Sequence, residues 1–224
     1  GCREEYSGKY FGGMEGYRED AQKRTFSRPE LEKIIRSAGL EEMQFYYPYP
    51  DYRLPMTIYS DAHLPKVGEL WDNLRNFDRE RYLMFEEPKA FVEINEDGLI
   101  PVFSNSYLVV IREKKNADTD VKRTIFSKYS NERAAKFAIR TDIQMDGAGR
   151  RYARKVACYP EGKDHIDRLE HWMEALNDAY KGSGMTMNRC RRTEVGIAID
   201  FLTGQTLEEQ MDHFLLEGQT EEAI

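Results

Sequence analysis

The sequence predicts a fold of mixed α/β and α+β character in two parts, and two observations lead to this prediction. Helical and strand periodicities follow one another along most of the 224 residues. They are interrupted at residues 114–120, KKNADTD, which are polar and charged and include no large apolar side chain. We therefore predict a first domain at 1–113, a linker at 114–120 and a second domain at 121–224.

The first domain is expected to contain one capped helix and two strands. Ser27 and Glu30 have capping-box spacing, and Gly39 ends the helix before a strand at about 42–49. Residues 48–66 hold four prolines, which predicts an ordered excursion and argues against a central strand. Residues 70–98 are predicted to be mostly helical and 107–111 a strand. The inward helix face is Leu31, Ile34, Ile35 and Ala38, and the excursion is packed by Tyr47, Tyr49, Tyr52 and Tyr59.

The second domain follows the order strand, strand, turn, strand, helix, strand, strand, helix. Strands are predicted at 124–129, 137–145, 151–158, 185–191 and 195–201, with a hairpin turn at 146–149, DGAG. A helix at about 164–180 buries Ile166, Leu169, Trp172, Met173, Leu176 and Tyr180. The last helix begins at a capping box of Thr206 and Glu209, and its apolar face is Leu207, Met211, Phe214 and Leu215.

Composition excludes several classes of function. The net charge of −7 and a pI near 5.3 argue against nucleic-acid binding, which requires a clustered basic face. No apolar run approaches the roughly 20 residues that cross a bilayer, and no secretory leader begins the chain. Three dispersed cysteines indicate free thiols in a reducing compartment, and the scattered histidines suggest no metal site. We expect a cytoplasmic protein.

Residues 1–113 carry phrases that resemble a known family. These are GCREEYSGKYFGGMEGY, RTFSRPEL, YYPYPDYRLPMTIYSD, RNFDRER and FSNSYLVV. They resemble the C-terminal part of bacterial class I S-adenosylmethionine-dependent methyltransferase-like proteins of surface-polysaccharide synthesis. The resemblance implies a Rossmann-like sheet, of which the strands at 42–49 and 106–112 are the closing antiparallel pair.

The same resemblance implies a cofactor and an acceptor. S-adenosylmethionine would bind a glycine-rich turn after a parallel strand, but this sequence has no GxGxG, so we expect that site to lie before Gly1 in a parent protein. Part of the acceptor pocket, for a glycan or lipid-linked sugar, would remain. Its candidate residues are Glu4, Glu5, Tyr6, Tyr17, Asp51 and Tyr52, with Glu4 or Glu5 as a base. The simpler interpretation, favoured for each residue alone, is that the tyrosines pack and the acids are solvated.

The second domain resembles the small lobe of kinase-like phosphotransferases of the aminoglycoside-phosphotransferase and lipopolysaccharide-kinase type. Lys155, in ARK on the third strand, corresponds to the lysine that binds ATP phosphates, and Glu170 or Glu174 would be its ion-pair partner. The resemblance implies ATP and magnesium as ligands. The sequence departs from the pattern in two places. KYSNERAAKF stands where a glycine-rich loop is expected, and nothing that resembles the catalytic HxD loop or the metal-binding aspartate follows downstream, because the sequence stops at Ile224. Lys155 is equally consistent with an ordinary surface lysine.

Three hypotheses stay open on the sequence alone. The chain is a fragment of a methyltransferase that lacks its own S-adenosylmethionine site, an ATP-binding phosphotransferase lobe, or a non-catalytic binding or scaffold module. Its expected partners are the N- and C-terminal parts of the parent protein. Because an incomplete sheet exposes strand edges, we also expect self-association.

Overall fold

A computed structural model describes the chain over residues 26–50, 52–70, 86–112, 122–130, 132–185, 188–202 and 204–218. Within these residues the fold is mixed α/β, with an eight-stranded sheet and five α-helices, which confirms the mixed class. The strands are β1 (Glu42–Tyr49), β2 (Thr57–Ser60), β3 (Leu108–Arg112), β4 (Arg123–Tyr129), β5 (Ile139–Met145), β6 (Arg151–Ala157), β7 (Cys190–Thr193) and β8 (Gly196–Asp200). The helices are α1 (Arg28–Ser37), α2 (Glu87–Glu96), α3 (Ile100–Phe103), α4 (Lys163–Ala179) and α5 (Leu207–Leu216).

The strands form one sheet in the order β3-β1-β2-β4-β5-β6-β8-β7. Each pair of neighbours is antiparallel, including the predicted pair of β1 and β3. Strand β2 pairs with β4, with Ile58 opposite Ser127, so the sheet continues from the predicted first domain into the second. The predicted linker at 114–120 lies outside the described residues.

The two faces of this sheet differ in what packs on them. We call the face that carries Phe45, Ile143 and Ala153 the helix face, because α1 to α4 contribute side chains to the two apolar cores on this side. We call the opposite face, which carries Ser127, Asp142 and Arg154, the open face only because α1 to α4 do not pack on it; Ser127 and Asp142 are nevertheless buried. The assignment follows from the register, since successive residues of a strand point to opposite faces.

The first core lies under α1, α2 and α3. Its buried residues are Phe45, Tyr47, Tyr49, Tyr59, Leu70 and Ile100, and Leu31 of α1 with Phe91 and Ile94 of α2 pack against it. The second core lies under α4, where Ile139, Ile166, Ile197 and Ile199 are buried and Leu169 and Met173 pack against them. Burial of these aliphatic and aromatic side chains is the main source of stability that the described residues offer.

Both predicted capping boxes are present. The main-chain N–H of Ser27 donates to Glu30 Oε2 at 2.8 Å, and the N–H of Thr206 donates to Glu209 Oε2 at 2.7 Å. The inward faces of the helices are narrower than predicted. Ile34 and Trp172 are 49% and 61% exposed, because only the residues that point directly at the sheet are covered. The other residues predicted to be inward but found exposed are Ala38, Tyr180, Leu207, Met211 and Leu215.

The prediction for the proline-rich segment was wrong in part. Pro48 lies inside β1, and Thr57–Ser60 forms β2, a central strand between β1 and β4. Proline is tolerated here because β3 pairs with β1 only as far as Tyr46. Pro48 therefore has a strand neighbour on one side only, opposite Ile58, and the N–H that proline lacks is not required on the other.

The predicted order of elements in the second half is confirmed. The DGAG turn joins β5 to β6, with Asp146 Oδ1 accepting the N–H groups of Ala148 at 3.0 Å and Arg150 at 2.9 Å. Strand β7 begins at Cys190, five residues later than predicted. Of the segment predicted as helical at 70–98, residues 71–85 lie outside the described residues and α2 accounts for the end. No helix in the described part of the chain is both long and apolar enough to span a membrane.

Candidate functional site

Most of the predicted acceptor residues lie outside the described residues. These are Glu4, Glu5, Tyr6, Tyr17 and Asp51. Tyr52 is described: it is 54% exposed, and its main-chain N–H donates to Ser106 Oγ at 3.2 Å. Its backbone thus fixes the proline-rich segment to the loop before β3, close to the cleft described next.

An aromatic cleft lies between β1 and β2 on one side and α2 and α3 on the other. Its volume is about 20 Å³. The lining is mainly aromatic and aliphatic: Tyr47, Tyr49, Tyr59, Pro65, Leu70, Phe91, Ile100, Ser104 and Asn105. All three tyrosines were predicted to pack the proline-rich excursion, and for Tyr47 and Tyr49 the alternation along β1 was the available signal. Phe91, Ser104 and Asn105 were missed, because only the fold brings them to β1.

The phenols of the cleft act as hydrogen-bond donors. Tyr49 Oη donates to the carbonyl of Leu70 at 2.8 Å, and Tyr47 Oη donates to Asp61. Burial, followed by the hydrogen bond to Asp61, raises the pKa of Tyr47. Burial and the nearby Glu69 likewise raise the pKa of Tyr59. These phenols therefore stay protonated at neutral pH and do not serve as bases.

Two further polar side chains face the cleft. Ser104 Oγ donates to the carbonyl of Ser106 at 2.9 Å, and Asn105 Nδ2 donates to the carbonyl of Pro50 at 3.3 Å. The Asn105 side-chain oxygen accepts no hydrogen bond from another described residue. It is thus an acceptor for a ligand hydroxyl, beside aromatic rings that present apolar faces.

A network under the cleft holds α1 against the sheet. Arg28 donates to Asp61 through Nη1 at 2.7 Å and Nη2 at 3.1 Å, a bidentate pair. The guanidinium carbon lies 4.7 Å from the centre of the Phe45 ring, and Tyr47 Oη completes the network. Because these polar groups are hydrogen-bonded to one another, we assign them the role of positioning α1 against the sheet.

Lys155 lies on β6, on the helix face, between Ala153 and Ala157 of the second core. Its Nζ donates to Thr141 Oγ1 at 3.3 Å. Burial, followed by the positive charge of Arg133, lowers the pKa of Lys155. The predicted partners are elsewhere, since Glu170 pairs with Arg192 and Glu174 is exposed. Among the described residues, no carboxylate pairs with Lys155, so the structure does not bring the three predicted residues together.

Lys155 instead belongs to a basic row across three strands. Lys128 of β4 stands opposite Thr141 of β5, and Thr141 stands opposite Lys155 of β6, all on the helix face. Arg133 follows in the β4–β5 connection. We call Lys128, Thr141 and Lys155 the basic row. Cations around a hydroxyl donor are suited to a phosphate group, and sequence reasoning missed Lys128 because its closeness depends on strand register.

The described residues match the two expected cofactors to different degrees. Because each described strand pair is antiparallel, no described loop follows a parallel strand, and these residues do not fit S-adenosylmethionine. The basic row fits the phosphates of ATP by charge. Within the described ranges, no group of three or more His, Cys, Asp or Glu side chains is placed to hold magnesium.

Comparisons of the chain with protein-family models, with curated proteins and with solved structures found no match. Two sites among the described residues with chemistry suited to a ligand are the aromatic cleft and the basic row.

Proposed function

We propose that the chain contributes the acceptor-binding part of a cytoplasmic S-adenosylmethionine-dependent methyltransferase that acts in cell-surface glycan synthesis. The supporting observation is the aromatic cleft. It lies between β1 and the segment that precedes β3, where the sequence resemblance implies an acceptor pocket. Small-molecule sites combine apolar and aromatic walls with a few polar groups, which is the composition of this cleft.

The chemistry of the cleft suits one sugar ring. A pyranose has apolar C–H faces that pack on aromatic rings and hydroxyl groups that need acceptors. Tyr49 and Phe91, whose ring centres are 6.1 Å apart, supply the aromatic surface, and the Asn105 oxygen is the acceptor. The cleft has a volume of about 20 Å³, room for about one water molecule, so a sugar ring enters only when the lining side chains move apart.

The chain's own residues would bind and orient the acceptor. The methyl donor supplies an electrophilic methyl group when bound, and its site is assigned to parts of the protein beyond the described residues. Since the cleft phenols are donors, they hold acceptor hydroxyls in place but do not remove a proton. Glu4 and Glu5 stay the candidates for the base.

Saturation-transfer NMR with methyl α-D-glucopyranoside, methyl β-D-galactopyranoside and methyl α-D-mannopyranoside tests the proposal. We expect at least one glycoside to receive magnetisation on its ring protons. Asn105→Ala should weaken its binding about fivefold, the effect of losing one neutral hydrogen bond. Asn95→Ala is the matched control, because Asn95 also donates to a main-chain carbonyl, that of Lys66, at 3.2 Å.

Other outcomes overturn the proposal. Equal binding by the Asn105→Ala and Asn95→Ala variants would place the sugar outside the cleft. Absence of binding by each glycoside, with the chain folded, would favour a non-catalytic scaffold. Calorimetry with S-adenosylmethionine is expected to show no heat, and micromolar binding would contradict our exclusion of the methyl donor from the described residues.

A second candidate function is binding of ATP phosphates at the basic row. It is favoured by one observation, the half-buried ammonium of Lys155 that faces Arg133 and Thr141 and pairs with no carboxylate among the described residues. Calorimetry with ATP and magnesium should show binding that Lys155→Ala reduces by about tenfold, a typical charge-assisted contact. Lys122→Ala is the control, since Lys122 lies over the Tyr152 ring, whose strand position faces the open side. Unchanged binding by Lys155→Ala would reject this candidate.

A further inference from the structure

Two arginines share one buried carboxylate on the open face of the sheet. Asp142 of β5 is 1% exposed, and its oxygens lie 3.0 Å from Arg140 Nε and 2.8 Å from Arg154 Nη2. The Ser127 hydroxyl donates to the same carboxylate at 2.7 Å. The carboxylate therefore fixes two guanidinium groups from neighbouring strands.

The charges of this group do not balance. One carboxylate neutralises one guanidinium, so the group of Arg140, Arg154 and Asp142 carries a net charge of +1. Of the carboxylates that the structure describes on this face, the neighbouring ones are already paired, Asp200 with Arg191 and Asp146 with Arg150. Partly buried positive charge is costly unless an anion compensates it.

The arginines also keep donors available. Arg140 contacts Asp142 through Nε and also hydrogen-bonds to the side chain of Tyr129, so up to three of its five N–H groups remain for a ligand among the described residues. Arg154 contacts Asp142 through Nε and Nη2, which leaves Nη1. The side chains are 34% and 23% exposed, so a ligand can reach these N–H groups. A planar fork of N–H donors matches the oxygens of a phosphoryl group.

We infer that Arg140 and Arg154 form a binding site for a phosphoryl group, which Asp142 preorganises. A phosphate monoester carries about −1.5 to −2 charges at neutral pH, which offsets the surplus positive charge. The site lies on the open face, whereas the aromatic cleft and the basic row lie on the helix face. It therefore goes beyond the proposed function, and either can fail without the other.

The test follows the arginine side chains directly. The ¹⁵N-arginine-labelled chain is titrated with inorganic phosphate at constant ionic strength, and the Nε–Hε resonances of Arg140, Arg154 and Arg191 are recorded. We expect Arg140 and Arg154 to shift with one common Kd and Arg191, which is paired with Asp200 on the same face, to stay in place. Lys155→Ala, on the opposite face, should leave these shifts unchanged.

Conservative arginine-to-lysine variants distinguish the effect of the planar N–H donors of the guanidinium from the effect of its positive charge. Arg154→Lys and Arg140→Lys keep a cation beside Asp142, so the fold is preserved, but each removes a planar pair of donors. We expect each to raise the Kd for phosphate about tenfold, and Arg191→Lys to change it less than about twofold. Circular dichroism verifies folding.

Three results would overturn the inference. The first is the absence of a phosphate-dependent shift at both Arg140 and Arg154. The second is an equal shift at Arg191, which would show unspecific electrostatic binding. The third is tighter binding of acetate than of phosphate, which would contradict the assignment to a phosphoryl group.

Discussion

Replacing Asp142 by asparagine is expected to destabilise the fold strongly. The substitution leaves Arg140 and Arg154 without their shared carboxylate, on a site where Asp142 is 1% exposed. Removal of one partner from a buried ion pair costs about 3–5 kcal/mol. The arginines are 34% and 23% exposed and so regain some hydration, and we therefore expect the lower end, about 3 kcal/mol. For a chain of this size, that loss lowers the melting temperature by about 6–12 °C.

Urea unfolding followed by circular dichroism measures this loss. Asp200→Asn is the matched control, because Asp200 also pairs with an arginine on the open face, but the two side chains are 64% and 50% exposed. Exposed pairs contribute less than about 1 kcal/mol. Our reasoning would be refuted if Asp142→Asn cost less than about 1 kcal/mol, or if both variants were equally unstable.

Three further predictions concern the core and one histidine. Ile197→Ala, at a fully buried position, should lower the free energy of unfolding by about 3 kcal/mol. Val195→Ala, at 57% exposure, should change it by less than about 0.5 kcal/mol. Equal free energies of unfolding for the two variants in urea would contradict the assigned core. Gly196→Ala places a Cβ 2.2 Å from the Lys155 carbonyl oxygen, so β8 must move away from β6, and thermal melting should show a larger loss than for Val195→Ala. Burial, followed by the positive charges of Arg151 and Lys66, lowers the pKa of His63. Because the unfolded state then binds more protons than the folded state, the free energy of unfolding falls as the pH drops. The fall begins at about pH 7.5 and continues through the unfolded pKa of about 6.5. His63→Gln should reduce this fall in unfolding experiments between about pH 7.5 and 5.5, and a pH dependence identical to that of the parent chain would contradict it.

Local signals in the sequence predicted the elements well. The capping boxes at Ser27 and Thr206 and the DGAG turn were readable because their hydrogen bonds join residues two to four apart. Strand β1 was predicted from its alternation, since apolar side chains at every second position need a buried face. These features depend on a few neighbouring residues.

Features that depend on distant pairing could not be predicted. The density of prolines argued against β2 as a strand. The sequence does not show that the pairing of β1 with β3 ends at Tyr46, which leaves Pro48 with a strand neighbour on one side only. The pairing of β2 with β4 likewise joins segments about 70 residues apart. The aromatic cleft needs Phe91 beside Tyr49, and the arginine site needs the register that sets Asp142 opposite Arg154. No local pattern encodes that register.

Intermolecular NOEs between a bound methyl glycoside and the ¹³C-labelled chain test the central claim most directly. The account predicts contacts from the ring protons of the sugar to the aromatic protons of Phe91 and Tyr49, which line the cleft. It is contradicted if a glycoside binds and its contacts are confined to residues on the open face of the sheet.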